Sequence, residues 1–220
     1  MEGKNDKLVR KEGGLTKLGE KHLIDKLSNE VGFTHRELRR IMNIYKRYLK
    51  DLWYMDEPVF SEVLHNTFGF KDDFFMKRLF FVADLDKDRK INMEEFIRVV
   101  AIMLRGTILE KIRLCFSCFD LDDSQELTRE GVTDLLLEAI NEPPTKDSTA
   151  DGLRDLVELI FSKMDEDEDG CISYEEFKKE CLRDWTVMEI FGQCLPDHRH
   201  RAAFLVLLES DQDVTVEQSV

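Results

Sequence analysis

The segment from Asp165 to Glu176, DEDEDGCISYEE, places oxygen-bearing side chains at regular intervals. Calcium is a hard cation that takes about 6–8 oxygen ligands, and a 12-residue loop supplies them from positions 1, 3, 5, 7, 9 and 12. Glycine at position 6 allows the sharp turn, and here that residue is Gly170. The segment therefore predicts a calcium site. The predicted ligands are Asp165, Asp167, Asp169, Ser173 and Glu176, with the main-chain carbonyl of Cys171.

A second segment, Asp84 to Glu95, follows the same pattern with one departure, because Arg89 replaces glycine at position 6. A left-handed turn at a non-glycine residue costs about 1–2 kcal/mol. This segment carries five acidic and three basic residues, whereas the Asp165 segment carries seven acidic residues and no basic one. We expect a weaker calcium site here. Its predicted ligands are Asp84, Asp86, Asp88, Asn92 and Glu95, with the main-chain carbonyl of Lys90.

A third segment, Asp120 to Gly131, has lost two parts of the pattern. Gln125 stands where the turn glycine belongs, and Gly131 replaces the glutamate at position 12. Glu130 comes one residue early and would point about 100° away around a helix. The sequence predicts a loop that keeps its structural role and has little or no calcium affinity.

These segments belong to a fourfold repeat. The first two acidic loops start 36 residues apart, and the same step back leads to Tyr48, where the acidic residues are missing. Apolar residues nevertheless occupy three equivalent positions in all four units. They are Ile44, Phe80, Phe116 and Phe161, then Met55, Ile91, Leu127 and Ile172, and finally Phe60, Phe96, Val132 and Phe177.

Each unit is predicted to be a helix, a loop and a second helix. The helical stripes are Leu38, Ile41, Met42, Tyr45 and Leu49; Met76, Leu79, Phe80 and Ala83; Ile112, Phe116 and Phe119; and Leu156, Leu159, Ile160 and Met164. Thr34 and Glu37 form a predicted capping box. Residues 141–150 contain two prolines and are predicted to be a loop. Neighbouring units should pair through short strands, Met55 with Ile91 and Leu127 with Ile172.

The C-terminal segment adds two predicted helices. The first lies in DWTVMEIFGQCLPD and stops at Gly192 and Pro196, and the second is RAAFLVLLES, with Phe204, Leu205, Leu207 and Leu208 as its apolar side chains. The second helix would either cover the chain's own groove as a lid or dock as a satellite of the core. The run from His198 to Arg201 is predicted to be an exposed turn.

The composition narrows the function classes. A formal net charge of −14 over 220 residues disfavours nucleic acid and anionic lipid as partners. The sequence shows neither an apolar run long enough for a membrane span nor a signal peptide, and Glu2 disfavours N-myristoylation. The five cysteines are expected to be free cytosolic thiols, and the Cys115–Cys118 pair to be core. No catalytic pattern is present, so an enzyme is not expected.

From about Phe60 to Asp197 the sequence resembles the calaxin family, EF-hand proteins of motile cilia. The segments that carry the resemblance are NTFGFKDDFFMKRLF, LRGTILEKIRLCFSCFD, DLVELIFSKMDEDEDG and, most specifically, FGQCLPD. The resemblance implies metal binding at the two complete loops and an axonemal role, binding an outer-arm dynein heavy chain or its docking complex. The segment from Asp120 departs from the family pattern. The fold and LRGTILEKIRLCF are also similar to neuronal calcium sensors.

The resulting expectation is an all-α protein of two lobes of paired EF-hands with a C-terminal helical appendage. The predicted divisions are a charged tail at 1–20, an N-terminal pair at 21–105, a C-terminal pair at 106–183 and the appendage at 184–220. The predicted function is a calcium-responsive ciliary adaptor in the cytoplasm and axoneme, with no membrane insertion. The alternatives are a regulator of a channel or other membrane target, a calcium-independent docking subunit and a calcium buffer. Mg²⁺ is an alternative occupant of the Asp165 loop at rest.

Overall fold

The computed structural model describes residues 10–11, 14–49, 54–140 and 148–210. Ten α-helices account for most of this described part of the chain. They are α1 (Lys17–Leu27), α2 (His35–Leu49), α3 (Glu57–Phe68), α4 (Asp73–Ala83), α5 (Met93–Arg105), α6 (Ile108–Phe119), α7 (Arg129–Ile140), α8 (Ser148–Met164), α9 (Tyr174–Arg183) and α10 (His198–Glu209). A 3₁₀ helix, Trp185–Glu189, follows α9. The predicted all-α fold is confirmed.

Four short strands complete the described structure. Strands β1 (Arg10–Lys11) and β2 (Gly14–Leu15) pair antiparallel ahead of α1. Strands β3 (Glu126–Thr128) and β4 (Cys171–Ser173) also pair antiparallel, with Leu127 opposite Ile172. Met55 and Ile91 form an isolated antiparallel bridge. Both predicted strand contacts are confirmed.

The helices pair up along the chain as four helix–loop–helix units: α2 with α3, α4 with α5, α6 with α7, and α8 with α9. Of the twelve repeat positions, eleven are buried and Ile44 is half-buried. The capping box before α2 is confirmed, because the amide of Thr34 donates to Glu37 at 2.8 Å and the amide of Glu37 donates back at 3.3 Å. The apolar positions of the repeat therefore form the buried side of the helices, and the capping box fixes the start of α2.

The chain divides into two compact units. Unit 1 comprises residues 1–71, 83–105 and 196–220, and unit 2 comprises residues 72–82 and 106–195. Most of α4 therefore packs within unit 2, while the loop that follows it and α5 belong to unit 1. The four predicted sequence divisions stay a prediction.

In unit 1, α10 packs against α2 and α3. Phe204 lies against Phe68, with ring centroids 4.9 Å apart, and Leu208 is fully buried. Arg40 of α2 donates to the carbonyls of Leu207 at 3.0 Å and Leu208 at 2.7 Å. Through these contacts the predicted apolar helix packs on α2 and α3, the first helix–loop–helix unit.

A second arginine contact starts from α10 itself. Arg201 donates to the carbonyl of Leu104, at the end of α5, at 2.9 Å. The run from His198 to Arg201 is the first turn of α10 and not the predicted turn, although His198 and Arg199 are exposed as predicted. The reason is the cap: Asp197 accepts a hydrogen bond from the amide of His200 at 2.8 Å. An arginine at a helix C-terminus also complements the dipole there.

Two further predictions about the α8 region need correction. The predicted loop at 141–150 ends earlier, since α8 begins at Ser148, and Asp151 complements the dipole of its first turn. Residues 141–147 lie outside the described residues. The predicted α8 stripe is wrong for Leu156 and Leu159, which are 38% and 54% exposed. The core side of α8 consists of Val157, Ile160, Phe161 and Met164.

Four of the five cysteines, Cys115, Cys118, Cys181 and Cys194, are buried free thiols in unit 2, which agrees with the core role predicted for the Cys115–Cys118 pair. Burial raises the pKa of Cys181 to about 12, so that thiol is un-ionised at neutral pH. Within the described residues, no helix has both the length and the apolarity that a bilayer crossing requires.

Candidate metal centre

The loop from Asp165 to Glu176 lies between α8 and α9 and contains β4. Carboxylate oxygens of Asp165, Asp167 and Asp169 all lie within 4.8 Å of one another. The three carboxylates carry like charges, so their convergence is unfavourable unless a cation or hydrogen-bond donors offset the repulsion. The predicted side-chain ligands at positions 1, 3 and 5 are thus brought together.

Main-chain amides of the loop supply some of those donors. The amide of Asp169 donates to Oδ1 of Asp165 at 3.1 Å and to Oδ1 of Asp167 at 3.3 Å, and the amide of Gly170 donates to Oδ2 of Asp165 at 3.0 Å. Gly170 has a φ of 89°, which is the left-handed turn predicted at position 6. Cys171, in β4, donates its amide to Oδ1 of Asp169 at 2.8 Å.

Glu176, at position 12, is fixed at both carboxylate oxygens. Oε1 accepts from the amide of Glu166 at 2.8 Å, and Oε2 accepts from the amide and hydroxyl of Ser173 at 2.8 and 2.7 Å. Burial alone would raise the pKa of Glu176, but the hydrogen bonds from Ser173 and Glu166 lower it overall. Ser173 is also the N-cap of α9, so one residue positions both the helix and the glutamate.

The loop from Asp84 to Glu95 repeats this arrangement in unit 1. Asp84 is 2% exposed and accepts from the amides of Asp88 at 3.1 Å and Arg89 at 2.7 Å. Oxygens of Asp84, Asp86 and Asp88 also lie within 4.8 Å of one another. Arg89 has a φ of 63°, which confirms the predicted left-handed turn at a non-glycine residue.

The closing glutamate of this loop differs from Glu176 in the direction in which its pKa is shifted. Glu95 accepts from the amides of Leu85 at 3.0 Å and Asn92 at 2.8 Å, yet burial and the charge of Asp86 raise its pKa. Asn92 caps α5 through its side-chain oxygen, which accepts from the amide of Glu95 at 3.1 Å. Lys90, predicted to contribute its carbonyl, places its ammonium group 4.4 Å from the ring centre of Tyr54.

The degenerate loop, Asp120 to Gly131, keeps the turn of the other two. Asp120 accepts from the amides of Ser124 at 3.0 Å and Gln125 at 2.9 Å, and Gln125 has a φ of 70°. What it lacks is the closing carboxylate. The amide of Gly131 donates instead to the hydroxyl of Thr128 at 3.1 Å, and Glu130 is exposed.

The two complete loops fit a calcium ion, because each offers three converging carboxylates and a fourth carboxylate already fixed at the loop, all of them hard oxygen donors. The predicted aspartate ligands at positions 1, 3 and 5 converge in both loops. Individual ligation by these residues, and by the carbonyls of Lys90 and Cys171, stays a prediction.

Comparison with known proteins agrees with this geometry. A family model that describes an EF-hand domain pair matches residues 109–182, which span α6 to α9 except for the first residue of α6 and the last residue of α9. Calaxin from Danio rerio is 35% identical over 150 residues, which cover 68% of this chain and 71% of that protein. The calaxins of Xenopus laevis and Homo sapiens are 37% and 34% identical over the same length, covering 72% and 71% of those proteins.

The chain belongs to the calaxin family. As a calaxin-family protein it is a calcium-binding EF-hand protein and not an enzyme. The resemblance stated from FGQCLPD and the other segments is confirmed.

Sequence reasoning did not single out Trp185, which is 65% exposed at the start of the 3₁₀ helix. The available signal was its setting between a charged and a polar residue, Asp184 and Thr186, just after a helix end. Asp184 caps the 3₁₀ helix by accepting from the amide of Thr186 at 2.9 Å.

Proposed function

We propose that the chain is a calcium-responsive adaptor of motile cilia, whose partner is an outer-arm dynein heavy chain or a subunit of its docking complex. The observation that carries the calcium response is the placement of Glu176 at the loop formed by Asp165, Asp167 and Asp169. The ciliary partner rests on the chain's similarity to calaxins and stays part of the proposal.

Asp165, Asp167, Asp169 and Glu176 are the carboxylates that would hold a divalent ion in this loop, and such an ion would supply positive charge against part of the loop's seven acidic side chains. The chain's own part is positional. Ser173 holds Glu176, and the pairing of Leu127 with Ile172 ties this loop to the degenerate one. A change at the complete loop therefore acts on two hands of unit 2 at once.

A calcium-independent docking subunit is the second candidate, and Gly131 is the observation that favours it. With no carboxylate at position 12 of the third loop and no acidic ligand pattern in the first hand, two of the four hands are predicted to be insensitive to calcium. Binding through those hands would persist when calcium is removed.

Capture of the partner separates these two functions. The full chain, immobilised, would be exposed to axonemal extract in calcium and in chelator, and bound outer-arm dynein and docking-complex subunits would be quantified. The adaptor predicts capture that changes severalfold with calcium in the native chain and does not change in a Glu176→Gln variant. Equal capture in both conditions supports the docking subunit, and no capture of these subunits in either condition rejects the ciliary partner.

Calorimetry with calcium in the presence and absence of magnesium tests the metal response itself. We expect two calcium equivalents, one tighter than the other, and magnesium competition at the tighter site. A calcium buffer would show the same heats of calcium binding but would capture no partner from the axonemal extract. Fluorescence localisation to the axoneme would favour the ciliary adaptor, whereas a plasma-membrane pattern would favour the channel regulator.

A further inference from the structure

The charge of the chain is divided unequally between its two units. The residues of unit 2 include 25 acidic and 11 basic side chains, and the residues of unit 1 include 21 of each. The whole formal net charge of −14 thus lies in unit 2. The electrostatic field of this net charge attracts cationic groups and repels anionic ones over roughly a Debye length, about 8 Å at physiological salt.

Exposed apolar side chains are concentrated in the same unit. Twelve large apolar side chains are exposed in the described part of the chain, and nine of them belong to unit 2. Single exposed apolar residues are ordinary, but a group of them on one surface marks a binding site.

Five of these nine residues come from three successive elements. Leu156 and Leu159 lie on α8, Leu182 on the last turn of α9, and Trp185 and Ile190 at the two ends of the 3₁₀ helix. We name these five residues the α8–α9 face. Packing joins the elements in series, because α8 contacts α9 and α9 contacts the 3₁₀ helix.

Lys163 is a basic residue on the same part of α8 as Leu159. It follows Leu159 by four residues, so the two share one side of α8. Hydrogen bonds from Thr186 lower the pKa of Asp184, and the positive charge of Lys163 also lowers it. Asp184 and Glu189 are acidic residues at either end of the 3₁₀ helix, and Arg183 beside Leu182 is paired with Glu180.

We infer that the α8–α9 face binds a basic amphipathic helix of a partner protein. The apolar side of that helix would cover Leu159, Leu182 and Trp185, and its Lys and Arg side chains would meet the acidic surroundings. A tryptophan exposed in the free protein and covered in a complex is typical of the residues that dominate binding. This inference rests on the proposed adaptor function and specifies its partner.

Charge selects this occupant over the others. A second copy of the chain would bring another net charge of −14 to the surface, and an anionic lipid bilayer would be repelled in the same way. A basic helix is attracted at long range and can also fill an apolar strip, so it satisfies both features of the unit.

Trp185 itself can report the binding. The chain has two tryptophans, and a Trp53→Phe variant leaves Trp185 as the single indole emitter. The probe is a synthetic peptide of about 18 residues, roughly five helical turns, with leucine at helical spacing and lysine elsewhere. Its matched control replaces every lysine with glutamate. We expect the lysine peptide to shift Trp185 emission to the blue, less strongly at high salt, and the glutamate peptide to leave it unchanged.

Affinity measurements on the chain with both tryptophans test the same face without relying on that variant. Anisotropy of the labelled lysine peptide should show at least a tenfold loss of affinity for Trp185→Ala, about 1.4 kcal/mol. Val206→Ala is the matched control, because Val206 is also 65% exposed but lies in unit 1. Its affinity should equal that of the native chain.

Three results would overturn the inference: peptide binding that leaves Trp185 emission unmoved, equal binding of the glutamate peptide, or equal affinity of the Trp185→Ala and Val206→Ala variants. A calcium titration of the same samples keeps this outcome separate from the proposed function. Normal calcium binding with an unaffected Trp185 rejects the face alone, whereas a Trp185 shift without any calcium binding rejects the calcium response alone.

Discussion

The main-chain amide of Gln125 donates to Oδ2 of Asp120 at 2.9 Å, although the loop that contains both residues lacks its closing carboxylate. The equivalent bonds are Arg89 to Asp84 at 2.7 Å and Gly170 to Asp165 at 3.0 Å. The degenerate loop has therefore kept the turn although it lacks the glutamate that would complete the ligand set. We therefore expect that a single substitution at position 12 can restore calcium binding to this loop.

Replacing Gly131 with glutamate should restore a calcium site to that loop. A Cβ at Gly131 would meet only the Thr128 hydroxyl, at 3.3 Å, so the new side chain is accommodated with a small adjustment. Calorimetry should show one additional calcium equivalent. Gly152→Glu on α8 adds the same charge where a Cβ meets nothing within 4 Å, and its stoichiometry should not change. An unchanged stoichiometry for Gly131→Glu would show that the missing carboxylate is not the defect.

Glu176→Gln should weaken the tighter calcium site by about 100-fold or more. Altering groups that only orient metal ligands already costs about 10–100-fold, and this change removes a predicted ligand's charge. Glu175→Gln is the matched control, since Glu175 is adjacent, exposed and paired with Lys178. Calcium calorimetry of both variants gives the comparison, and equal affinities would refute the assignment of position 12.

The ion pair between Glu37 and Arg105 should make unit 1 sensitive to acid. Burial alone would raise the pKa of Glu37, but hydrogen bonds from Arg105 and Thr34 bring it below its usual value of 4.5. A lowered folded-state pKa contributes stability above the unfolded value and loses it as the pH falls below. Glu37→Gln should cost about 1–3 kcal/mol at neutral pH and should flatten this acid dependence.

The measurement is the free energy of unfolding in urea at about pH 7 and about pH 3.5, compared between variants. Glu62→Gln serves as the control because Glu62 is exposed on α3, and it should reproduce the native pH dependence. If Glu37→Gln lost as much stability on acidification as the native chain, the ion pair would not be the source of the sensitivity.

Leu208→Ala should destabilise unit 1 by about 2–5 kcal/mol, because Leu208 is fully buried where α10 packs on α2 and α3. Val206→Ala on the exposed side of α10 should stay within about 0.5 kcal/mol of the native chain. Scanning calorimetry of the two variants and of the native chain gives the unfolding temperatures to be compared. Similar effects of the two substitutions would mean that α10 is not held by its apolar side.

Local patterns were sufficient for much of the fold and the candidate site. The pairing of Met55 with Ile91, the capping box at Thr34 and the left-handed turn at Arg89 each depend on residues close in sequence or on the repeat. Such features are set by hydrophobic periodicity and loop chemistry, so the sequence alone predicts them.

Features that depend on distant neighbours could not be predicted in the same way. Leu159 and Ile160 are adjacent on α8, and only tertiary packing decides that the second is core and the first is exposed. The helical start at His198 was missed because Asp197 lacks the glutamate three residues on that completes a capping box. The site for α10 on α2 and α3 has no local signal.

Two arginines join α10 to earlier elements of unit 1. Arg40 reaches from α2 to α10, and Arg201 reaches from α10 to α5. A splice form or protease product that stopped before Asp197 would uncover the Phe68 ring and leave Arg40 and the Leu104 carbonyl without these partners. We expect such a product to be degraded by cellular quality control and not to accumulate as a working fragment.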